Sequence, residues 1–333
     1  MSWSLTAASC GFTLRSRLSP RYRQRVGKRL AALVITVLFM ALLVDTVVAN
    51  RVPRPAEPFA GGRVLQLPTP NLNVREYGPD GDRAIVLLHG YSASIQWWEA
   101  VAPALANGTR VVAIDLVGHG GSESPTEVEL YSAEAQAIAV HQALDALGVR
   151  HAVLVGHSMG GTVATALAER APELVDRVVV SDTPADQGMV AMPALGNVAC
   201  WPVLGAAVDR LRGIDAVDRS SLQTGFAADF PVPELAYRSL KRMTHNALCD
   251  ARTADRFNEK RPVADRLAGL GKPVLVVWGE NDVLTPTGKN LERYRAAGLQ
   301  PVVIAGSGHS PMVEKPDEFL GAVKVFTHTA RAN

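Results

Sequence analysis

The chain has 333 residues, 47% hydrophobic and 20% charged, enough for one large core with a smaller inserted module. Lys plus Arg number 34 against 32 Asp plus Glu, a net charge of +2, which gives no basis for a nucleic-acid partner. Only three cysteines occur, Cys10, Cys200 and Cys249, and no Cys/His spacing resembles a metal site, so neither a metal nor another cofactor is expected.

The N-terminus is set apart by its charge. Arg15, Arg17, Arg21, Arg23, Arg25, Lys28 and Arg29 make residues 1–29 strongly basic, and Leu30 to Val44 follow without a charge. Continued through Asp45 to Ala49, residues 30–49 reach about 30 Å as a helix, enough to cross a bilayer. Asp45 then sits near the far interface, where a charge costs less. An uncleaved signal anchor is the leading reading. The others are a signal peptide cut before Asn50, with Val47 and Ala49 as its small residues, and a buried core helix. Under either of the first two, the basic end stays in the cytoplasm and the rest crosses to the outer side, as a single-pass membrane protein or a secreted one. Residues 50–62, with Pro53, Pro55 and Pro58, read as a semi-rigid linker between membrane and domain.

From residue 63 the pattern becomes that of a globular domain. Val64 to Leu67 and Leu72 to Glu76 predict an opening pair of strands, followed by a Gly78-Pro79-Asp80-Gly81 turn. Ala84 to Leu88 is a fully apolar strand that runs into His89-Gly90-Tyr91-Ser92, and Ile95 to Ala106 reads as a helix carrying Trp97 and Trp98. Val111 to Ile114 is a further strand, ending in the glycine-rich stretch Asp115 to Ser122. Ser132 to Leu147 is helical by period, His151 to Val155 reads as a buried strand, Ser158 to Arg170 as an alanine-rich helix, and Arg177 to Val180 as a strand.

Strands alternating with helices predict an α/β fold, a mostly parallel, doubly wound sheet. From about Pro184 to Ala264 the chain changes to helix formers broken by prolines at 193, 202, 231 and 233, which predicts a helical cap at 184–264 inserted into a core of 63–183 and 265–330. Pro273 to Trp278 resumes the sheet, Thr285 to Ala297 is helical, Pro301 to Ile304 is a last strand, and Asp317 to Thr329 closes as a helix.

The chemistry centres on Gly156-His157-Ser158-Met159-Gly160. By chance alone, G-x-S-x-G arises in about one chain in ten of this size. Its setting is more telling, since a buried strand precedes Ser158 and a small-residue helix follows, the surroundings of a nucleophile held at a sharp turn. Ser158 needs a base, and the base a carboxylate to fix its tautomer. In open parallel sheets such groups gather at the carboxyl ends of strands. There His309 follows the last strand in a glycine-flanked loop, and Asp282 follows the strand before it, with Glu280 and Asp182 as runners-up for the carboxylate. His89, His119 and His157 lie near the same edge and read as structural or supporting groups. The backbone N–H groups of Met159 and Tyr91, with Ser92 as a less suitable substitute, are the candidate oxyanion donors. Tyr91 also reads as an aromatic lining the pocket mouth.

Over residues 64–330 the chain resembles the α/β-hydrolase superfamily, in its serine-nucleophile, esterase/lipase-like branch. The resemblance rests on His89-Gly90, Asp115 to Ser122, the elbow at Ser158, Trp278 to Asp282, and Gly308-His309. It implies a Ser158–His309–Asp282 triad acting on a small-molecule ester or acyl substrate. Alternatives on the same fold are a carbon-carbon bond hydrolase of a ring-cleavage product and an acyltransferase or thioesterase. A membrane-tethered binding protein without activity is disfavoured because all three residues are present. The cap would roof the strand ends and line an acyl pocket with Met189, Met192, Trp201, Leu204, Leu211, Phe226 and Phe230, although packing within the cap's own core is favoured for most of them. Cys200 and Cys249, both in the cap, could pair outside the cytoplasm.

Overall fold

A computed structural model describes residues 20–49 and 52–328. Arg15 and Arg17 of the basic segment, the cleavage point before Asn50, Arg51 at the head of the linker and Thr329 of the closing helix lie outside the described residues.

Eight strands form one sheet: β1 Arg63–Leu65, β2 Leu72–Tyr77, β3 Arg83–Leu88, β4 Arg110–Ile114, β5 His151–His157, β6 Val175–Ser181, β7 Val274–Gly279 and β8 Pro301–Ile304. Their order across the sheet is β1-β2-β4-β3-β5-β6-β7-β8. β2 runs antiparallel to β1 and β4, and every neighbouring pair from β4 to β8 is parallel. The central strands read as continuous Val/Ile/Leu runs because they are buried, β4 along its whole length. The chain steps from β3 to β4 on one side and then to β5 on the other. That reversal of winding opens a crevice at the carboxyl ends of β3 and β5.

The helices Ala133–Ala146 and Met159–Arg170 pack on each other, and their alanines permit the close approach. The first is capped by Ser132, whose side chain accepts a hydrogen bond from the Ala135 N–H. The expected helix from Ile95 to Ala106 is instead two pieces, a 3-10 turn at Ile95–Trp98 and a short helix at Ala102–Leu105. Pro103 explains the break, because it has no N–H to bond back to the preceding turn. Thr285 is not helical as expected, and the helix starts at Thr287, after Pro286.

The N-terminal helix spans Pro20–Ala49. By length and composition, Arg21–Val48 could cross a membrane, and its side chains are exposed as far as residue 41, which removes the core-helix reading. The Pro-rich segment after it is not a free-standing stalk. Arg54 exchanges backbone hydrogen bonds with Ser124 at 2.9 and 2.8 Å, Glu57 N–H donates to Gly121 O, and Arg242 pairs with Glu57.

Among the described residues the stretch between β6 and Val263 contains short helices and 3-10 turns and no strand. Helix Val263–Ala268 runs across the anticipated boundary at 264/265 and packs on Met159–Arg170. A disulfide joins Cys200 to Cys249. Of the cap side chains expected in a pocket or a core, Met192 and Phe226 line a cavity, and Met189 and Phe230 pack against the core. Trp201, Leu204 and Leu211 do neither, being exposed. Helical spacing shows which residues share a face, but not what covers that face.

Candidate active site

The elbow is a backbone device. Ser158 adopts φ 51° and ψ −121° between β5 and helix Met159–Arg170, a conformation costing a non-glycine residue on the order of 1–3 kcal/mol. The surroundings hold it there. Ser158 N–H donates to Ser181 O at 2.8 Å, and Gly161 N–H donates to Ser158 O at 2.9 Å. A Cβ on Gly160 would collide with the Leu88 and His89 carbonyls, and one on Gly156 would strike the backbone of Gly160 and Gly161. Both glycines are therefore required for the helix to start so close to β3 and β5.

His309 sits in the loop between β8 and a short helix at Pro311–Glu314. His309 Nδ1 lies 2.8 Å from Asp282 Oδ2. A carboxylate there fixes the proton on Nδ1 and leaves Nε2 as the basic nitrogen. Asp282 is itself held: its Oδ1 accepts from the Leu284 and Thr285 N–H groups at 2.9 Å each, and its Oδ2 accepts from the Thr285 hydroxyl. The loop is clamped from two sides. Glu314 accepts from the N–H groups of Gly308, Ser310 and Ala227, and His157 Nε2 lies 2.7 Å from His309 O. Thr285 and Glu314 were missed by sequence reasoning, and nothing in their local pattern marks them.

The runner-up carboxylates are engaged elsewhere. Glu280 accepts from Gly306 N–H at 2.9 Å. Asp182 accepts from Gly279 N–H at 2.8 Å and from the Ser181 hydroxyl at 2.7 Å. Burial, and then the neighbouring Asp282 charge, pushes the Asp182 carboxyl well above the usual range. Ligand atoms of Asp182, Asp282 and His309 lie within 4.8 Å of one another, the one such cluster among the described residues. Both carboxylates already accept the hydrogen bonds described above.

The other loop histidines are neutral supports. His89 is buried, with Nδ1 2.7 Å from Gly90 O and Nε2 accepting from Leu116 N–H at 3.0 Å. Burial pushes His89 and His157 well below the ordinary imidazole value, and His119 down to about 4.

Ser158, Met159, His309, Tyr91 and Trp97 from the core, with Val190, Met192, Leu222 and Phe226 from the cap, line a single cavity of about 400 Å³. Ser158 and His309 thus face one space, while Asp282 stands behind the imidazole. Tyr91 lies three residues beyond the end of β3, and Gly90 beside it lets the loop lie against His157 and Ser158. The Tyr91 hydroxyl donates to Leu248 O at 2.5 Å, tying this loop to the cap. Such an arrangement can activate a hydroxyl and present backbone donors to a developing negative charge.

Comparison with known proteins agrees with this fold. An uncharacterised protein of Mycobacterium tuberculosis (strain ATCC 25618 / H37Rv) is 30% identical over 268 residues, covering 74% of this chain and 75% of its own length. Among solved structures, a hydrolase from Pseudomonas aeruginosa PA01 aligns with a TM-score of 0.65 at 26% identity, over 81% of this chain and 99% of its own. A membrane phospholipase A, described as a bacterial virulence factor, aligns with a TM-score of 0.62 at 25% identity, over 92% of this chain and 98% of its own. The sequence model of the alpha/beta hydrolase fold family matches residues 83–316. Fold, crevice and sequence match together, and the chain belongs to the α/β-hydrolase family.

Proposed function

We propose that the chain is a serine hydrolase that cleaves a carboxylic ester. Ser158 Oγ attacks the ester carbonyl and His309 Nε2 takes its proton, while Asp282 holds Nδ1–H and stabilises the imidazolium. The Tyr91 and Met159 N–H groups receive the oxyanion, a contribution of about 3 to 4 kcal/mol per donor in comparable enzymes. The imidazolium then protonates the leaving alcohol, and a water activated by the same imidazole releases the acyl group. The observation that carries this reading is the His309–Asp282 hydrogen bond at 2.8 Å behind a cavity that Ser158 also lines.

An uncleaved anchor with the domain on the outer side is supported by three features. The basic residues precede the apolar run, the cap holds a disulfide of the kind retained in oxidising compartments, and the end of the N-terminal helix is bound to the cap. A lipid ester fits this setting, and the likeness to a membrane phospholipase A supports it. Labelling by a fluorophosphonate probe tests the reading: wild type should label and Ser158→Ala should not. Equal labelling of both would end it.

A further inference from the structure

Four large apolar side chains stand in water within one short stretch of the cap: Trp201 at 53% exposure, Leu204 at 42%, Leu211 at 41% and Ile214 at 51%. Scattered singly, exposed apolar residues need no explanation, but a cluster does. Successive helical turns connect them, since Gly205 N–H donates to Trp201 O, Val208 N–H to Leu204 O, Leu211 N–H to Val208 O and Ile214 N–H to Leu211 O.

The same stretch carries the N-terminal helix. Thr46 Oγ donates to Val203 O at 3.1 Å, Arg210 pairs with Asp45, and helix Gly205–Asp209 packs against the N-terminal helix. Asp45 lies about 22 Å along the helix axis from Leu30, less than the thickness of a hydrocarbon core. If Leu30 marks one edge of the bilayer, the docking point lies at or below the opposite edge. The cap stretch is therefore brought to the level where Trp and aliphatic side chains are favoured. On its other side this helix faces inward. Val208 and Asp209 line a smaller chamber that shares Tyr91, Ser92 and Met192 with the cavity of Ser158.

We propose that residues 201–214 are a membrane seat, lodged in the outer leaflet between headgroups and acyl chains, and that the ester is drawn from the bilayer past this helix into the chamber. The substrate class is then a lipid ester resident in a bilayer. This route rests on the ester-hydrolase reading above, whereas the seat itself does not.

Two measurements on the full-length chain in phosphatidylcholine vesicles test it. Acyl-chain-brominated lipid should quench the emission of Trp201, obtained by subtracting a Trp201→Phe variant, by roughly twofold or more, as for a side chain at the interface. Emission untouched by bromine, whether Trp201 is left in water or covered by a second copy of the chain, overturns the seat. Separately, Leu211→Ser combined with Ile214→Ser should lower the ratio of turnover of a vesicle-borne long-chain ester to that of a dissolved short-chain ester by about tenfold. An unchanged ratio overturns the delivery route. Quenching is read without turnover, so a failure of Ser158 to react with fluorophosphonate would remove the hydrolase reading while leaving the seat tested.

Discussion

His157 Nε2 lies 2.7 Å from the carbonyl oxygen of His309, so the residue just before Ser158 holds the loop that carries the imidazole. Burial, with the neighbouring His309 adding to it, keeps the His157 ring neutral, and Nε2–H donates. His157→Phe should leave that buried carbonyl without a partner, at about 1–3 kcal/mol of stability. Loss of position at His309 should lower kcat by about 10- to 100-fold, the scale of a displacement near 1 Å, with KM little changed. Steady-state kinetics and a thermal midpoint check both, and unaltered kcat would show that the loop is held by other contacts.

The two buried aspartates differ in what they touch. Asp282→Asn should turn the imidazole to the wrong tautomer and reduce kcat by roughly 10⁴, as in other triads. Asp182 bonds Gly279 N–H and the Ser181 hydroxyl instead, and an amide oxygen can still accept from Gly279. Asp182→Asn should therefore cost no more than about tenfold, the worth of one neutral hydrogen bond. Comparable losses in the two variants would mean that both carboxylates serve the imidazole.

His119 gives a pH dependence of stability with a definite sign. Burial lowers its pKa from 6.5 to about 4, so the folded protein binds fewer protons than the unfolded chain between those values. The contribution is complete above about pH 6.5 and is lost as the pH falls through 4, a span worth on the order of 3 kcal/mol. His119 Nδ1 lies 3.0 Å from Val117 O, and His119→Gln replaces the imidazole with an amide that does not titrate in this range. Denaturant unfolding at pH 7.5 and pH 4.5 should show a smaller loss for His119→Gln than for wild type. Parallel losses would contradict the assignment.

The Cys200–Cys249 bridge closes a loop with a sequence separation of 49. Chain-entropy reasoning puts such a loop at about 4 kcal/mol. Replacing both cysteines by serine should lower the thermal midpoint and expose 184–264 to protease first, while Ser158 still labels in the cold. Cleavage starting in the core would argue against a separately stabilised cap.

Much of the fold was legible because parallel strands buried on both faces leave apolar runs, and these runs alternate with helical periods. Ser158 could be read from its glycines, since Gly156 and Gly160 stand where any Cβ would meet backbone. His309 and Asp282 could be read from their places after β8 and β7. The break after Trp98 lay in plain view at Pro103 but was outweighed by the helical period around it. Thr285 and Glu314 act through contacts that no periodicity encodes. Trp201, Leu204 and Leu211 share the composition of pocket or core residues, yet are exposed.

The sequence by itself determined the alternation of elements, the glycine-lined turn at Ser158 and the places of Asp282 and His309 after successive strands, because each depends on local backbone sterics and short-range periodicity. Only the tertiary structure decided that Asp282 and not Asp182 meets the imidazole, that Glu314 and His157 clamp its loop, and that residues 201–214 face outward beside the N-terminal helix. Those outcomes depend on contacts between segments as far apart as the 152 residues separating His157 from His309, a distance over which side-chain identity carries no positional information until the sheet has formed.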